Sequence, residues 1–170
     1  MATKKNPRKE AFGAYHFRVD LHTADGALDK ESFPFKSCSG LRSESTVYEV
    51  EEGGFNTTTR KLIGRTKYPN LVLKQGFCGA ASLLWKLRKD FMNDLPGGKP
   101  RGKGWSGPKR FNGTITQMGP DGAEAKWAFM NGWVCKWEGP EFDASKNEIS
   151  IESIEIAHEG LMMLPGKEAK

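Results

Sequence analysis

The chain has 170 residues, of which 37% are hydrophobic and 28% charged, a balance that fits one soluble globular domain able to bury its own core. Apolar runs are only a few residues long, as at Leu161–Leu164, which excludes a membrane-spanning helix and predicts no membrane anchor. The basic stretch Met1–Gly13 is followed by no apolar segment, so no secretory signal is expected.

The formal net charge of +5 is unevenly placed. Residues 1–10 hold four basic residues and one acidic, residues 96–110 hold five basic and none acidic, and the remainder therefore carries −3. A duplex-binding protein usually presents its positive charge on a folded face; here it sits on a tail and a loop around a mildly acidic body. Three cysteines, Cys38, Cys78 and Cys135, are odd in number and form no C-x-x-C pair. They predict free buried thiols and folding in the cytosol, with neither a zinc site nor a disulfide framework.

Residues 1–11 read as a flexible basic arm. Tyr15, Phe17, Val19 and Leu21 alternate with polar residues, which predicts a half-buried strand. A turn at Asp25-Gly26 leads to a short return strand over Ser32–Ser37, placed on an edge by Pro34. Next comes an arm. Ser43–Glu52 alternates in period two, with Thr46, Tyr48 and Val50 on one face and Ser45, Val47 and Glu49 on the other. Gly53-Gly54 reverses the chain, Phe55–Leu62 is again β-prone, and Tyr68–Lys74 is a third run after a Gly-Arg-Thr-Lys connection. Ten extended residues reach about 33 Å, yet an isolated hairpin is marginal in water. Two readings stand: a hairpin folded onto its own sheet, and a hairpin completed by a neighbouring subunit.

The period changes over Gly79–Asn93, where Leu84, Leu87 and Phe91 form a helical stripe widened by Leu83. Ser82 is the expected amino-terminal cap, and Lys86, Arg88 and Lys89 are expected to complement the carboxyl end of the dipole. Asn93–Arg110 is loop by composition. Phe111–Met118 is a strand, Gly119–Gly122 a tight turn, and Ala125–Trp137 a strand placing Ala125, Trp127, Phe129, Trp133, Cys135 and Trp137 on one face, with a bulge near Asn131-Gly132. In the final strand, Glu148–His158, Ile149 and Ile151 are out of phase with Ile154 and Ile156. Either a bulge sits near Ser153 or both faces are covered. The sum is a mainly β chain: an antiparallel β-sandwich or partial barrel with one flanking helix and a long protruding hairpin.

No active site emerges. Gly102–Gly107 matches G-x-G-x-x-G but lacks the strand before and helix after that would bring a helix end to phosphate. Gly97–Gly104 nearly spells a phosphate loop, but Gly104 stands where a hydroxyl must meet magnesium. Gly104–Pro108 fails as a nucleophile elbow for the same want of context. His16 and His22 are too far apart along a strand for one ion, and His158-Glu159 has no second histidine at helical spacing. Glu49, Glu51, Glu52, Glu152, Glu155 and Glu159 read as surface charge or intersubunit partners, since a catalytic pair needs an apolar pocket and these sit on alternating strands read as solvated. Asn56-Thr57-Thr58 and Asn112-Gly113-Thr114 match a glycosylation acceptor without the secretory context it needs. The aromatic face of Trp127, Phe129, Trp133 and Trp137 reads as core beneath the helix. No catalytic residue, cofactor or metal is expected.

Taken as an ordered set, several segments resemble the tail-tube family of contractile phages and phage-derived contractile injection systems. They are Ser39-Gly40-Leu41 entering the arm, Glu49–Gly54, and Lys61–Asn70 leading into Leu71–Gly76. Further along are Leu84-Trp85-Lys86, Trp137–Pro140, Asn147-Glu148 and Ile154–Gly160. The resemblance covers residues 12–162 as one tail-tube domain, with a loop insertion at 94–110 and a tail at 163–170. It implies a structural, non-enzymatic subunit made in the bacterial cytoplasm. Such subunits form hexameric rings that stack into the inner tube of a virion tail or injection-system particle, around a lumen that carries DNA or protein cargo. Implied partners are further copies of the chain, a surrounding sheath, and baseplate and terminator proteins at the tube ends.

On this resemblance Thr46, Tyr48, Glu49, Val50, Glu51, Glu52, Gly53, Gly54, Phe55, Arg60, Lys61 and Arg65 become the expected inter-subunit and ring-stacking residues. The basic loop departs from the family in its length, which makes Lys99, Arg101, Lys103, Lys109 and Arg110 candidates for an electrostatic contact with the sheath. A type VI secretion ring protein of similar fold is the near alternative, and a nucleic-acid-binding module using the basic loop the distant one.

Overall fold

Apolar and polar residues alternating through Glu124–Glu138 build a 15-residue strand about which the sheets are arranged. The computed structural model describes residues 11–23, 32–33, 35–51, 53–54, 58–77, 79, 82–93, 110–119 and 122–167. In chain order the elements are β1 (Phe17–Thr23), β2 (Ser32–Phe33), β3 (Ser37–Ser39), β4 (Glu44–Val50), β5 (Arg60–Lys67), β6 (Leu71–Gly76), α1 (Leu83–Asn93), β7 (Phe111–Met118), β8 (Glu124–Glu138), β9 (Ile151–Ala157) and β10 (Gly160–Leu164). One antiparallel path runs β2-β1-β7-β8-β9-β6-β3, with β10 also on β8, while β4 and β5 form a separate sheet.

The amino half of β8 pairs with β7 and β10, and its carboxyl half with β9. One strand therefore serves two sheets. Val19, Leu21, Ile115 and Phe129 from the first share a buried cluster with Leu71, Leu73, Ile154 and Ile156 from the second. The strands at the two ends of the path, β2 and β3, are separated in sequence only by residues 34–36. Four Cα steps span at most about 14 Å, so the path curls back toward itself, as the expected sandwich or partial barrel requires. Where a single return strand over Ser32–Ser37 is expected, the chain instead makes two short strands at opposite ends of the path.

The join in β8 is a bulge at the expected place. Phe111 pairs with Gly132 and Gly113 with Phe129, so β8 carries one extra residue there. Asn131 takes it up with φ 54°, a conformation asparagine tolerates better than most residues, and its N–H donates to Asn112 Oδ1 at 3.0 Å. A second extra residue, Cys135, lies between Val134 and Lys136. Each insertion flips the side-chain phase. Phe129 is buried before the first bulge and Val134 after it, while Trp137 packs against the core beyond the second. The expectation that the six residues share one face on both sides of the bulge is corrected accordingly. Trp133 and Trp137 do meet the helix, with rings 5.2 Å from Phe91 and 4.8 Å from Trp85; Phe129 and Trp127 belong to the core at the other half of the strand.

Strand β9 pairs with β6 without interruption from Leu71↔Ile156 to Gly76↔Ile151, so it contains no bulge on that side. Glu152, Ser153 and Ile154 are all buried, and the covered-on-both-faces reading holds. The strand begins at Ile151 rather than Glu148, and β10 follows it, extending to Leu164.

Glu152 corrects the surface reading most sharply, because it is wholly buried. Its Oε1 accepts from Gln75 Nε2 at 2.9 Å, and its Oε2 from Ser82 Oγ at 2.6 Å and Trp137 Nε1 at 3.2 Å. Ser82 in turn accepts from the Trp85 N–H at 3.3 Å, so the expected cap is in place and is itself tied to the sheet. The expected dipole complement at the other end is absent: the last turn of α1 has no basic residue. Arg88 instead donates to the Val134 carbonyl at 2.6 Å and lies over the Phe91 ring. Of the thiols, Cys38 and Cys135 are free, and burial pushes Cys38 up to about 11; Cys78 lies outside the described residues.

The arm forms as a hairpin, but with shifted bounds. Gly64–Lys67, expected as a connection, lies within β5, and the chain turns at Tyr68–Asn70. Pairing resumes there because Thr66 and Lys67 face Ser45 and Glu44, with the Ser45 and Thr66 hydroxyls 2.9 Å apart. Ser45 pairs with Thr66 and Val47 with Ile63, leaving Gly64 and Arg65 together opposite Thr46. A Cβ on Gly64 would meet the Thr46 carbonyl oxygen and the Tyr48 ring, each at 2.6 Å, so the ring of Tyr48 covers bare backbone.

Two outcomes follow from these contacts. Glu152→Ala leaves three buried donors without an acceptor and lowers stability by about 3 kcal/mol, read as a drop in the urea midpoint. Gly64→Val forces Tyr48 off the hairpin. Amide exchange should then quicken across residues 44–50 and 60–67 while β6 and β9 keep their protection.

Candidate assembly surface

The β4–β5 hairpin adds no strand to the main sheets, and all residues of its two strands are exposed except Thr46 and Gly64, which are half-buried. Of the two sequence readings, a hairpin folded onto its own sheet is therefore excluded. Pairing assigns its faces. Tyr48, Val50 and Leu62 lie with Thr46, Arg60, Arg65 and Lys67 on one; Val47, Glu49, Lys61 and Ile63 lie on the other. Large apolar side chains stand in water on both, with Tyr48 56% and Ile63 93% exposed.

Ion pairs join Lys61 to Glu49 at 3.8 Å and Arg42 to Glu44 at 2.6 Å. Arg65 and Lys67 form no ion pair among the described residues, although Lys67 lies opposite Glu44 across the hairpin. Glu51 is exposed beside the turn at Gly53-Gly54, where Gly54 has φ 95°, a conformation that favours glycine. Glu52 and Phe55 lie outside the described residues, as do Lys99, Arg101, Lys103 and Lys109 and the glycine motifs of residues 97–108. Arg110 is described and is paired with Glu159, whose second oxygen accepts from Asn131 Nδ2 at 2.9 Å. The Asn131 and Arg110 hydrogen bonds hold the Glu159 carboxyl below the usual range.

A second surface was missed from sequence. Residues 139–150, between β8 and β9, border an open groove of about 790 Å³ that also reaches Lys74, Glu138, Ile151 and Ser153. Phe142 and Ile149 are 80% and 81% exposed there. The lining carries four acidic residues, Glu138, Glu141, Asp143 and Glu148, against Lys74 and Lys146. Glu138 is held below the usual carboxylate range by hydrogen bonds from Lys136 and Ser153, and Asp143 by those from Ser145. The available signal was Phe142 and Ile149 within a largely polar loop.

A model of the family described as T4-like virus tail tube protein gp19 matches residues 13–162. No curated protein matches the sequence. Among solved structures, a chain of the anti-feeding prophage baseplate superposes with TM-score 0.76 at 18% identity, covering 91% of this chain and 96% of that one. A chain of the sheath-tube complex of the extracellular contractile injection system PVC gives 0.71 at 22% identity, covering 96% and 98%. A type six secretion system protein gives 0.51 at 11% identity, covering 86% and 82%. These likenesses carry the fold, and the match over residues 13–162 carries the family: the chain belongs to the T4-like tail tube proteins.

Proposed function

We propose that this tail tube protein acts without catalysis, as the repeating subunit of an inner tube. It assembles into hexameric rings that stack inside a sheath and end on baseplate and terminator proteins. The observation that carries this reading is the β4–β5 hairpin, a two-stranded sheet with apolar residues exposed on both faces. Such a ribbon is marginal alone and gains from a partner. The short edge strands β2 and β3 likewise present pairing groups on one side, and closing them across identical subunits removes the edge liability. Solved relatives belong to a baseplate, a sheath-tube complex and a tube-terminating cap, which supports the same set of partners here. The lumen then conducts DNA or protein, and subunits are made in the bacterial cytoplasm before assembly. A type VI secretion role is less well supported, because the type six secretion system protein is a more distant structural relative than the chain of the PVC sheath-tube complex. A sheath contact through the basic loop would draw on Lys99, Arg101, Lys103 and Lys109, with Arg110 already committed to Glu159.

Deleting Ser45–Thr59 tests the reading directly. The variant should keep the β signature of the body by circular dichroism yet yield single particles instead of stacked rods by negative-stain microscopy. Rods of ordinary length from that variant would refute the assembly role of the hairpin.

A further inference from the structure

We infer that Asn131 is a site of spontaneous deamidation, held in check by the carboxylate of Glu159.

The fold installs a labile dipeptide at this place. Asn131 is the extra residue of the first β8 bulge and belongs to none of the ladders that β8 makes with β7, β9 and β10. Its φ of 54° selects asparagine over most side chains. Gly132 follows because a Cβ there would fall 2.6 Å from the Phe129 ring and 3.1 Å from the Phe111 carbonyl oxygen. An asparagine followed by glycine is the pair in which the next amide nitrogen reaches the side-chain carbonyl carbon with least hindrance. The Gly132 nitrogen bonds to Asn131 Cγ, the Cγ–Nδ2 bond breaks, and the amide proton leaves with ammonia. Water then opens the succinimide at either carbonyl, giving aspartate or isoaspartate. Asn131 is exposed, so water reaches the ring.

Across the bulge stands a second such dipeptide, Asn112-Gly113. Asn112 sits inside a ladder opposite His22, and Gly113 is paired on both sides, with Leu21 and Phe129. Cyclisation there distorts two ladders at once, whereas at Asn131 the cyclising residue lies outside them all.

Two hydrogen bonds restrain Asn131. Its Nδ2 donates to Glu159 Oε2 at 2.9 Å, and its backbone N–H donates to Asn112 Oδ1 at 3.0 Å. Glu159 is itself fixed: its other oxygen is paired with Arg110, and its N–H donates to the Met130 carbonyl at 3.0 Å. The leaving nitrogen is thus pinned to a carboxylate, and the side chain must release it before turning Cγ onto Gly132. The Glu159 charge also opposes the negative charge that develops as the Gly132 nitrogen gives up its proton. Either product disturbs β8. Aspartate sets a second carboxylate against Glu159 where an amide donated, and isoaspartate adds a carbon to the main chain where the strand passes from one sheet to the other.

The test ages the full chain at neutral pH and constant temperature and maps isoaspartate by mass spectrometry. Trypsin separates the two dipeptides into peptides 111–126 and 127–136. The unaltered chain should accumulate isoaspartate slowly, at residue 131 ahead of 112. Glu159→Ala should raise the rate at 131 about fivefold, the effect of one hydrogen bond to a charged group at an exposed site, with the rate at 112 unchanged. Glu159→Gln, whose amide oxygen still accepts from Nδ2 but carries no charge, should fall between the two. If Glu159→Ala also lowers the melting temperature, the Gln variant carries the same comparison. Equal rates at 131 in all three chains, isoaspartate confined to 112, or none at either position would overturn the inference.

Discussion

Strand β8 is the constraint on which the rest depends, because a single strand has to supply pairing edges to two sheets at once. A flat 15-residue strand cannot bury inward side chains in both halves of a curled sheet. The bulge at Asn131 and the second at Cys135 reset the phase twice, so that Phe129, Val134 and Trp137 all reach the core. Gly132 is part of the same device: a Cβ there would fall 2.6 Å from the Phe129 ring. With that geometry the core closes inside one chain, and the helix is left only one place to sit.

Glu152 decides where that place is. A carboxylate buried among the aromatic and aliphatic side chains of the helix interface is costly unless its oxygens are fully engaged. Here three donors from three elements converge on it, and one of them, Ser82, caps α1. The positive end of the helix dipole therefore faces the buried charge. The arrangement couples β6, β8, β9 and α1 through a single side chain, and it rigidifies the end of the sheet that borders the groove, since Ser153 and Ile151 flank Glu152 on both sides.

How much of this was legible in sequence depends on whether the deciding partner is near in the chain. Strands β1 and β7, the helical stripe, the Ser82 cap and the Asn131 bulge follow from local alternation or local turn chemistry, and they are found where the residues put them, except that β1 begins at Phe17 and leaves Tyr15 exposed in a turn. Glu152 was misread because its alternation mates on β9 look solvated, while its donors come from positions about 70 residues earlier and 15 earlier. In β8 the bulge at Asn131 turns Val134 rather than Trp133 to the core, a flip that the expected single face leaves out, and the second bulge at Cys135, with no glycine or asparagine to announce it, returns Trp137 to the core. The end of β5 was misread for a related reason. Gly64 looks like a turn residue, yet it is glycine because Tyr48 lies across it. The two candidate surfaces were half legible: the bare hairpin shows in its even, unburied alternation, but a groove made from a loop and three strand ends has no periodic signature.

A hairpin left in water has a consequence for the kind of object the chain can build. The body is self-sufficient, with its core complete before any partner arrives, so the isolated chain needs no second copy in order to fold. The ribbon is a different matter, since its backbone is paired only internally and its side chains find no cover on the body. Folding and association are thereby separated, and association is charged to contacts that are individually weak, because exposed ion pairs and half-buried aromatics are each worth about 1 kcal/mol. Weak contacts repeated around a ring and engaged together bind far more tightly than any one of them. In the proposed tube, a subunit in the middle of the rod would have neighbours on both sides and so resist loss, whereas one at either end would have neighbours on one side only.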